Sequence, residues 1–404
     1  MSDEFTYYNS QTEQKTEFIF SNVQQNYIPD SNNSNYPNGQ ITWDLASLSN
    51  SGKYIDFQNS YVTIPLVMNL NITGTTAEDK ENVFAASLKN GYHQLINSMS
   101  VEIANCQVVN LTNMSNLDIH YKLLTTSSIE DQNNFLPSIN FAKDTAESVY
   151  YSDISNANGL GECNNIIKQS VFTAASGWGT TGWNSNKGRL DRQLNTSFDP
   201  INGANGSANN ALVSEAGLKS VAKNYATTNA GATDVTHYIL ATIPLKIIHD
   251  LFKKLPLCKG MYMRLVMNLN TQCSCAATIT ESKFITYSTT SLNGVFSCML
   301  SPIGVDSGFD NKSATKAVLS LGIGSSFGTT TSFKHPAMTS CRFYARVCEM
   351  TPQAEELYLS AVPTKTILCN DILSFSSFNN AANSTVSYIL INGISHPRYL
   401  LIGT

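Results

Sequence analysis

Between Tyr61 and Ile72 apolar and polar residues alternate without a break. Val62, Ile64, Leu66, Met68, Leu70 and Ile72 fall on one side, and Thr63, Asn69 and Asn71 on the other. A period of two sustained this long predicts a strand with one buried face. Pro65 lies on the polar side and lacks a backbone donor, so the expectation there is an edge strand or a bulge. The same alternation returns from Met261: Met261, Met263, Leu265, Met267 and Leu269 face one way, and Tyr262, Arg264, Val266 and Asn268 the other. Just before it, Leu245, Ile248, Phe252 and Leu255 recur at steps of three and four, which places them on one helical face. Lys246, Asp250, Lys253 and Lys254 fall largely on the opposite side. Pro244 fits the first helical position, Pro256 stops the helix, and Gly260 punctuates the run-in to the strand. His237 to Asn270 therefore reads as strand, helix, strand, and the rest of the chain is organised around it.

Elsewhere the signal is shorter-ranged. Residues 1–40 are polar and read as loosely ordered or draped on a neighbour, with a turn at Tyr36-Pro37-Asn38-Gly39. Ile41–Leu48 is a strand candidate, and Phe84–Ile96 is mixed with helical character. Met99, Val101 and Ile103 alternate into a turn at Asn105-Cys106-Gln107 and a return strand at Val108–Leu111, a hairpin. Asn116–Leu124 fits helix and strand equally. From Thr125 to Thr236, Asn, Gly, Ser and Thr clusters surround short apolar islands such as Ile166–Phe172. That texture predicts a loop excursion standing outward from one end of the fold. Strands follow at Ala277–Tyr287, Gly294–Leu300, Ala317–Leu321 and Cys341–Val347. In the last of these Cys341, Phe343, Ala345 and Val347 share a face, with Arg342 and Arg346 on the other. Thr351-Pro352 opens a short helix through Leu359, with Glu355 and Glu356 in its early turns, and Pro363 ends it. Thr366–Phe375, Val386–Ile391 and Tyr399–Ile402 are further strand candidates. Many strands, long loops and few helices give an all-β sandwich or barrel.

Composition narrows the function. Charged residues make up 14% of the 404 positions, and Lys plus Arg is 25 against 30 for Asp plus Glu, a formal charge of −5. Lys15 is the only basic residue before Lys53, so no basic arm is present and tight nucleic-acid binding is not expected. The opening residues MSDEFTYYNSQ lack the apolar core of a secretory signal, and no apolar run is long enough to span a bilayer. The nine cysteines are odd in number and scattered, several inside apolar alternation, which reads as free buried thiols. Cys273-Ser274-Cys275 resembles half of a metal site, but no second Cys/His pair stands at a matching spacing.

Letter motifs fail on context. Gly177-Trp178-Gly179-Thr180-Thr181-Gly182 has the spacing of a dinucleotide loop, yet it lies in the loop excursion rather than between a strand and a helix. Gly324-Ser325-Ser326-Phe327-Gly328 has the letters of a nucleophile elbow. A β-branched run follows where the elbow needs a helix to expose Ser326. His93, His120, His237, His249, His335 and His396 show no ligand spacing. Glu130-Asp131 and Glu355-Glu356 read as a solvated turn and a helix start. Sequons at Asn71, Asn110, Asn195, Asn205 and Asn383 match the chance level of so Asn-rich a chain. The aromatic residues are spread evenly and suit cores and interfaces better than base stacking. The expectation is therefore no enzyme and no catalytic, cofactor-binding or metal-binding residues.

Three segments carry a family resemblance. IPLKIIHDLFKKLPL, CRFYARVCEMTPQAEELYLSAV and NGISHPRYLLI resemble, in this order, the end of the first barrel, its closing strand and acidic helix, and an early second-barrel strand of double jelly-roll viral major capsid proteins. The likeness spans roughly residues 55–125 and 237–404. It implies a jelly-roll β-sandwich with long loop insertions and a few short helices. The implied divisions are a polar segment 1–40, a first jelly roll 41–350 containing the excursion 125–236, and a linker helix with opening strands over 351–404. The chain ends seven residues after Pro397, so the expectation is a second jelly roll only begun, its strands exposing an edge or borrowing a partner. The resemblance also implies a virion location, homotrimeric pseudo-hexagonal capsomers in an icosahedral shell, and minor capsid proteins or a host receptor as further partners. A polysaccharide-cleaving enzyme on a similar fold is a more distant reading, and two others stand beside the capsid one. One is a single jelly-roll capsid protein of a small single-stranded DNA virus. The other is a cell-surface carbohydrate-binding β-sandwich, using Trp178 and Trp183 to stack on sugar rings.

Overall fold

A computed structural model of the chain describes residues 19–36, 38–74, 84–111, 115–141, 149–151, 184–186, 224–229, 232–280, 284–291, 296–302, 314–323, 340–361, 364–373 and 398–400. In chain order the strands are β1 Phe20–Pro29, β2 Gln40–Asp44, β3 Tyr54–Gly74, β4 Phe84–Leu88, β5 Ile96–Ile103, β6 Cys106–Leu111, β7 Val149–Tyr151, β8 Asn184–Asn186 and β9 Asn224–Asn229. They continue as β10 Ala232–Pro244, β11 Cys258–Lys259, β12 Met263–Leu269, β13 Cys273–Thr280, β14 Phe284–Thr290, β15 Cys298–Pro302, β16 Ala314–Ile323 and β17 Arg342–Met350. The helices are short: α1 Ala46–Ser49, α2 Ser115–Thr126, α3 Ile129–Asn134, α4 Leu245–Ile248, α5 Asp250–Lys254 and α6 Pro352–Ala361.

The alternation at Tyr61–Ile72 belongs to β3, the centre of a nine-stranded antiparallel sheet. Val62, Ile64, Leu66, Met68 and Leu70 are all buried, as the pattern requires. β10 pairs along one flank of β3 from Tyr61 to Thr73. The other flank carries β17 as far as Thr63 and β16 from Leu66 onward. Ile64 and Pro65 fall between these two ladders. Pro65 therefore sits neither on an edge nor in a bulge, but where one flank changes partners and a missing donor costs little.

The pairings are nested along the chain. β1 pairs with β17, β2 with β12 and β3 with β10, each inside the last. β2 and β12 lie with β5 and β6 in a second, four-stranded sheet, so the antiparallel ribbon is rolled between two sheets. Trp43, Met99, Val101, Leu265 and Met267 from the smaller sheet join Leu66, Met68, Ile243, Leu319 and Phe343 from the larger one in a single apolar core. A ribbon wound into two facing antiparallel sheets is a jelly-roll sandwich. The fold is all-β with short helices at its margins.

Several local expectations shift. Phe20–Pro29, expected to be loosely ordered or draped on a neighbour, is β1, added to the sheet edge beside β17 of the same chain. Ile41–Leu48 divides into β2 and α1. Phe84–Ile96 begins as a strand paired with β15 rather than as a helix. The hairpin β5–β6 turns at Ala104-Asn105, both in the left-handed region with φ of 49° and 63°, one residue earlier than expected. Asn116–Leu124 is helical, within α2, and Ala277–Tyr287 spans two paired strands, β13 and β14. At the start of the excursion Leu136, Ile139 and Phe141 belong to the core. The excursion also supplies α3, the short strands β7, β8 and β9, and the first five residues of β10, which pair with β3. Its other residues beyond Phe141, Val386–Ile391 and Pro363 lie outside the described residues.

The central helix is also not continuous. Leu245, Ile248, Phe252 and Leu255 are all buried, but His249 is extended (φ −147°, ψ 144°) and separates α4 from α5. Its ring Nδ1 accepts from the Leu251 N–H at 3.1 Å and so caps α5, which an apolar side chain cannot do. Pro244 is extended, with ψ 133°, and ends β10 instead of opening the helix. β17 meets its expectation: Phe343, Ala345 and Val347 are buried, with Arg342 and Arg346 outward.

Beyond α6 the described part of the expected strand Thr366–Phe375, residues 366–373, shows the right alternation through Asn370 without a strand partner. Lys365, Ile367 and Cys369 are half-buried, whereas Thr366, Leu368 and Asn370 are exposed. Yet no ladder forms through Leu373. Side chains hold this segment instead: Lys254 Nζ donates to the Leu368 carbonyl at 2.8 Å, and the Asn370 N–H donates to Asp250 at 3.2 Å. Arg398–Leu400 is likewise not a strand, and the Tyr399 hydroxyl donates to Asp118 Oδ1 at 2.7 Å.

Candidate functional site

The residues singled out for chemistry fall into three groups. The Gly177–Gly182 loop, Trp178, Trp183, Ser326, His335, His396 and Cys163 lie outside the described residues. Asp131 is the third residue of α3, and with Ser128 it forms a reciprocal cap. Glu355 accepts from the Tyr54 hydroxyl at 3.0 Å and pairs with Lys259 at 2.7 Å, which pins α6 to the sheet. These carboxylates are helix starts, and both are held below the usual range by their hydrogen-bond donors.

The third group is histidine, where sequence spacing gave no signal. His93, in a turn before β5, and His120 on α2 come together with Nε2 and Nδ1 3.0 Å apart. Gln94 Nε2 stands 3.2 Å from the same nitrogen of His120, and Phe141 packs against both rings. His93 is fully buried. Burial, then the neighbouring His120, pushes its pKa down to about 3, so it is a neutral imidazole. His237 on β10 is also fully buried and pushed down to about 4 by burial. Among the described residues no three His, Cys, Asp or Glu side chains converge as a metal site. The pair is a packing contact between two elements far apart in sequence.

A second buried network joins the chain's beginning to β17. The Tyr36 hydroxyl donates to Asp30 Oδ1 at 2.8 Å and accepts from the Cys341 N–H at 3.0 Å. The Asp30 N–H in turn donates to the Cys341 carbonyl. No motif announces this lock, because its members become neighbours only when β1 docks.

What the described surface offers is apolar area. α6 buries none of its residues, and Leu357 and Leu359 are 64% and 52% exposed. In the extended segment that follows, Leu368 is 82% and Leu373 58% exposed. At the sheet edge β1 (FSNVQQNYIP) carries no charge, although charge is a common protection of edge strands. Its Val23 and Tyr27 are exposed. Exposed apolar side chains on a helix and on an extended segment that joins no ladder fit a contact surface better than a pocket.

No family model matches the sequence, and no curated protein matches it significantly. Solved structures that resemble it include the following two. The cryo-EM structure of the Sputnik virophage matches with a TM-score of 0.39 and 10% identity, over 82% of this chain and 49% of that one. The crystal structure of the mavirus major capsid protein matches with a TM-score of 0.28 and 8% identity, over 78% and 47%. The chain spans about half the length of the solved chains it matches. At such values the matches carry no argument about activity, and the jelly-roll assignment rests on the strand pairing itself.

Proposed function

We propose that this chain is a structural subunit of a viral capsid, a jelly-roll tile that works through its surfaces and assembles with copies of itself. The observation that carries this reading is the exposure of apolar residues on α6 and on the extended segment after it, with Leu357, Leu359, Leu368 and Leu373 open to solvent. An unpaired, alternating segment beside a helix with no buried residue is built to be completed by another surface. The low charge content, 14%, suits large contacts made of shape, apolar area and neutral hydrogen bonds. In this reading residues 351–404 lead from the first jelly roll toward a second, the assembled unit is a trimer in an icosahedral shell, and the chain resides in the virion. Its role is structural rather than catalytic, and contact with nucleic acid is weak and non-specific.

Electron microscopy and light scattering of the purified full chain test the proposal. Trimers, hexagonal arrays or shells are expected. A monomer that persists at every concentration and salt condition overturns it.

A further inference from the structure

β1 closes one end of the nine-stranded sheet. One side of it pairs with β17, and among the described residues no backbone group meets its other side. Edge strands are commonly guarded by charge, proline or a bulge. Here the guards stand only at the two ends. The register with β17 shifts between Phe20 and Asn22, and Pro29 has no N–H to give. The stretch between them, Asn22 to Ile28, is regular and carries no charged residue. Its two faces are distinct: Ile28 packs toward the core, while Val23, Gln25 and Tyr27 are exposed. Tyr27 is braced from the side, its ring centre 6.1 Å from that of Tyr344 and 5.0 Å from the Arg342 guanidinium.

We propose that this edge pairs with the same edge of a second copy, antiparallel, about a two-fold axis through Gln25. Two constraints choose that register. On an open edge the backbone N–H and C=O groups point outward at every second residue only. Two copies therefore share a ladder only when residues of equal parity stand opposite, which places the axis on a residue and not between two. Gln25 is the midpoint of Asn22 to Ile28, so it alone lets the whole regular stretch pair. Val23 of each chain then faces Tyr27 of the other, Gln24 faces Asn26, and the two Gln25 amides meet on the axis. Apolar–aromatic pairs flank amides that both donate and accept, and no like charges stand opposite. Arg346, the charged neighbour of Gln25 on β17, is already paired with Asp56 at 3.4 Å. β14 forms the far end of the same sheet, but pairing β1 with β14 joins copies head to tail, whereas the self-matched register at β1 closes on itself. One strand pair falls short of the roughly 1,200 Å² at which stable interfaces begin. The contact is weak between single chains in dilute solution and gains strength where several edges meet at once. Within the capsid reading it lies between assembled units, yet the pairing itself does not depend on that reading.

The experiment scores the contact directly, apart from any trimer or shell. Photoreactive benzoylphenylalanine replaces exposed Tyr27 in the full chain. Isotope-labelled and unlabelled protein are mixed at high concentration, irradiated and mapped by mass spectrometry. The expected product is a mixed-isotope cross-link from position 27 to Val23 or its immediate neighbours. Gln25→Lys and Gln25→Glu should each lower its yield by about tenfold, because like charges then meet on the axis, and an equimolar mixture of the two should restore it. Mixing does not rescue a variant that has merely unfolded. The proposal is overturned if no mixed-isotope cross-link forms at this edge, if position 27 captures β14 or another segment instead, or if the charge-variant mixture stays as low as either variant alone. Trimers or shells that form without the cross-link keep the capsid reading and overturn this contact. A cross-link without them does the reverse.

Discussion

Replacing Tyr36 by Phe removes one oxygen and keeps the ring, which is fully buried. The loss falls on two partners. The Cys341 N–H loses its acceptor at 3.0 Å, and Asp30 Oδ1 loses its donor at 2.8 Å. Both are buried, Asp30 being 6% exposed. A buried polar group left without a partner costs about 1–3 kcal/mol, and more when it is charged. One term softens the sum: Asp30 Oδ2 still accepts from the Asn32 N–H at 2.9 Å. We expect a destabilisation of about 2–4 kcal/mol, large against the 5–15 kcal/mol typical of a folded domain. Urea unfolding should show a lower midpoint at unchanged slope, because compactness is not altered. Asp30→Asn keeps an acceptor oxygen and should cost less, and the double variant should be less damaging than the sum, by about 1 kcal/mol or more. A Tyr36→Phe midpoint within error of wild type would refute the claim that this hydroxyl locks the chain's beginning to β17.

Further outcomes follow from the same structure. His93 and His237 are pushed down from 6.5 to about 3 and about 4. The unfolded chain therefore takes up protons below pH 6.5 that the folded chain refuses, so stability is complete above that pH and falls as pH drops toward 4. The loss at pH 5 should be about 2 kcal/mol for each histidine, and His237→Leu should flatten the pH dependence of urea midpoints between pH 7 and 5. Gly91 has φ +90°, and an added Cβ would stand 2.4 Å from the His93 ring. Gly91→Ala should lower stability by about 2 kcal/mol or more, read from the thermal midpoint, and a neutral result would show that the turn is free to move. Leu357→Glu combined with Leu368→Glu should leave the far-UV spectrum unchanged and abolish self-association in light scattering. Assembly that persists would place the contact surface elsewhere.

The faces of the strongest strands were decided by the sequence alone. Met263 to Leu269 and Phe343 to Val347 each bury one side, because alternation is local and a half-buried strand leaves no other arrangement, whereas at the centre of the sheet Val62 to Leu70 also buries Thr63, Val67 and Asn69 on its polar side. The same holds for Leu245, Ile248, Phe252 and Leu255, which are buried although His249 breaks their helix: the apolar face survives an interruption that only the imidazole cap explains. Partners were another matter. FSNVQQNYIP has no apolar alternation, and it becomes β1 because β17 offers it a row of unpaired backbone groups. Thr366 to Leu373 has the alternation, yet among the described residues no neighbouring strand offers such a row. His93 and His120 stand 27 residues apart, and Tyr36 and Cys341 stand 305 apart. Strand pairing and side-chain meetings depend on which distant backbone arrives alongside, a property of the packed chain that no window of neighbouring residues contains.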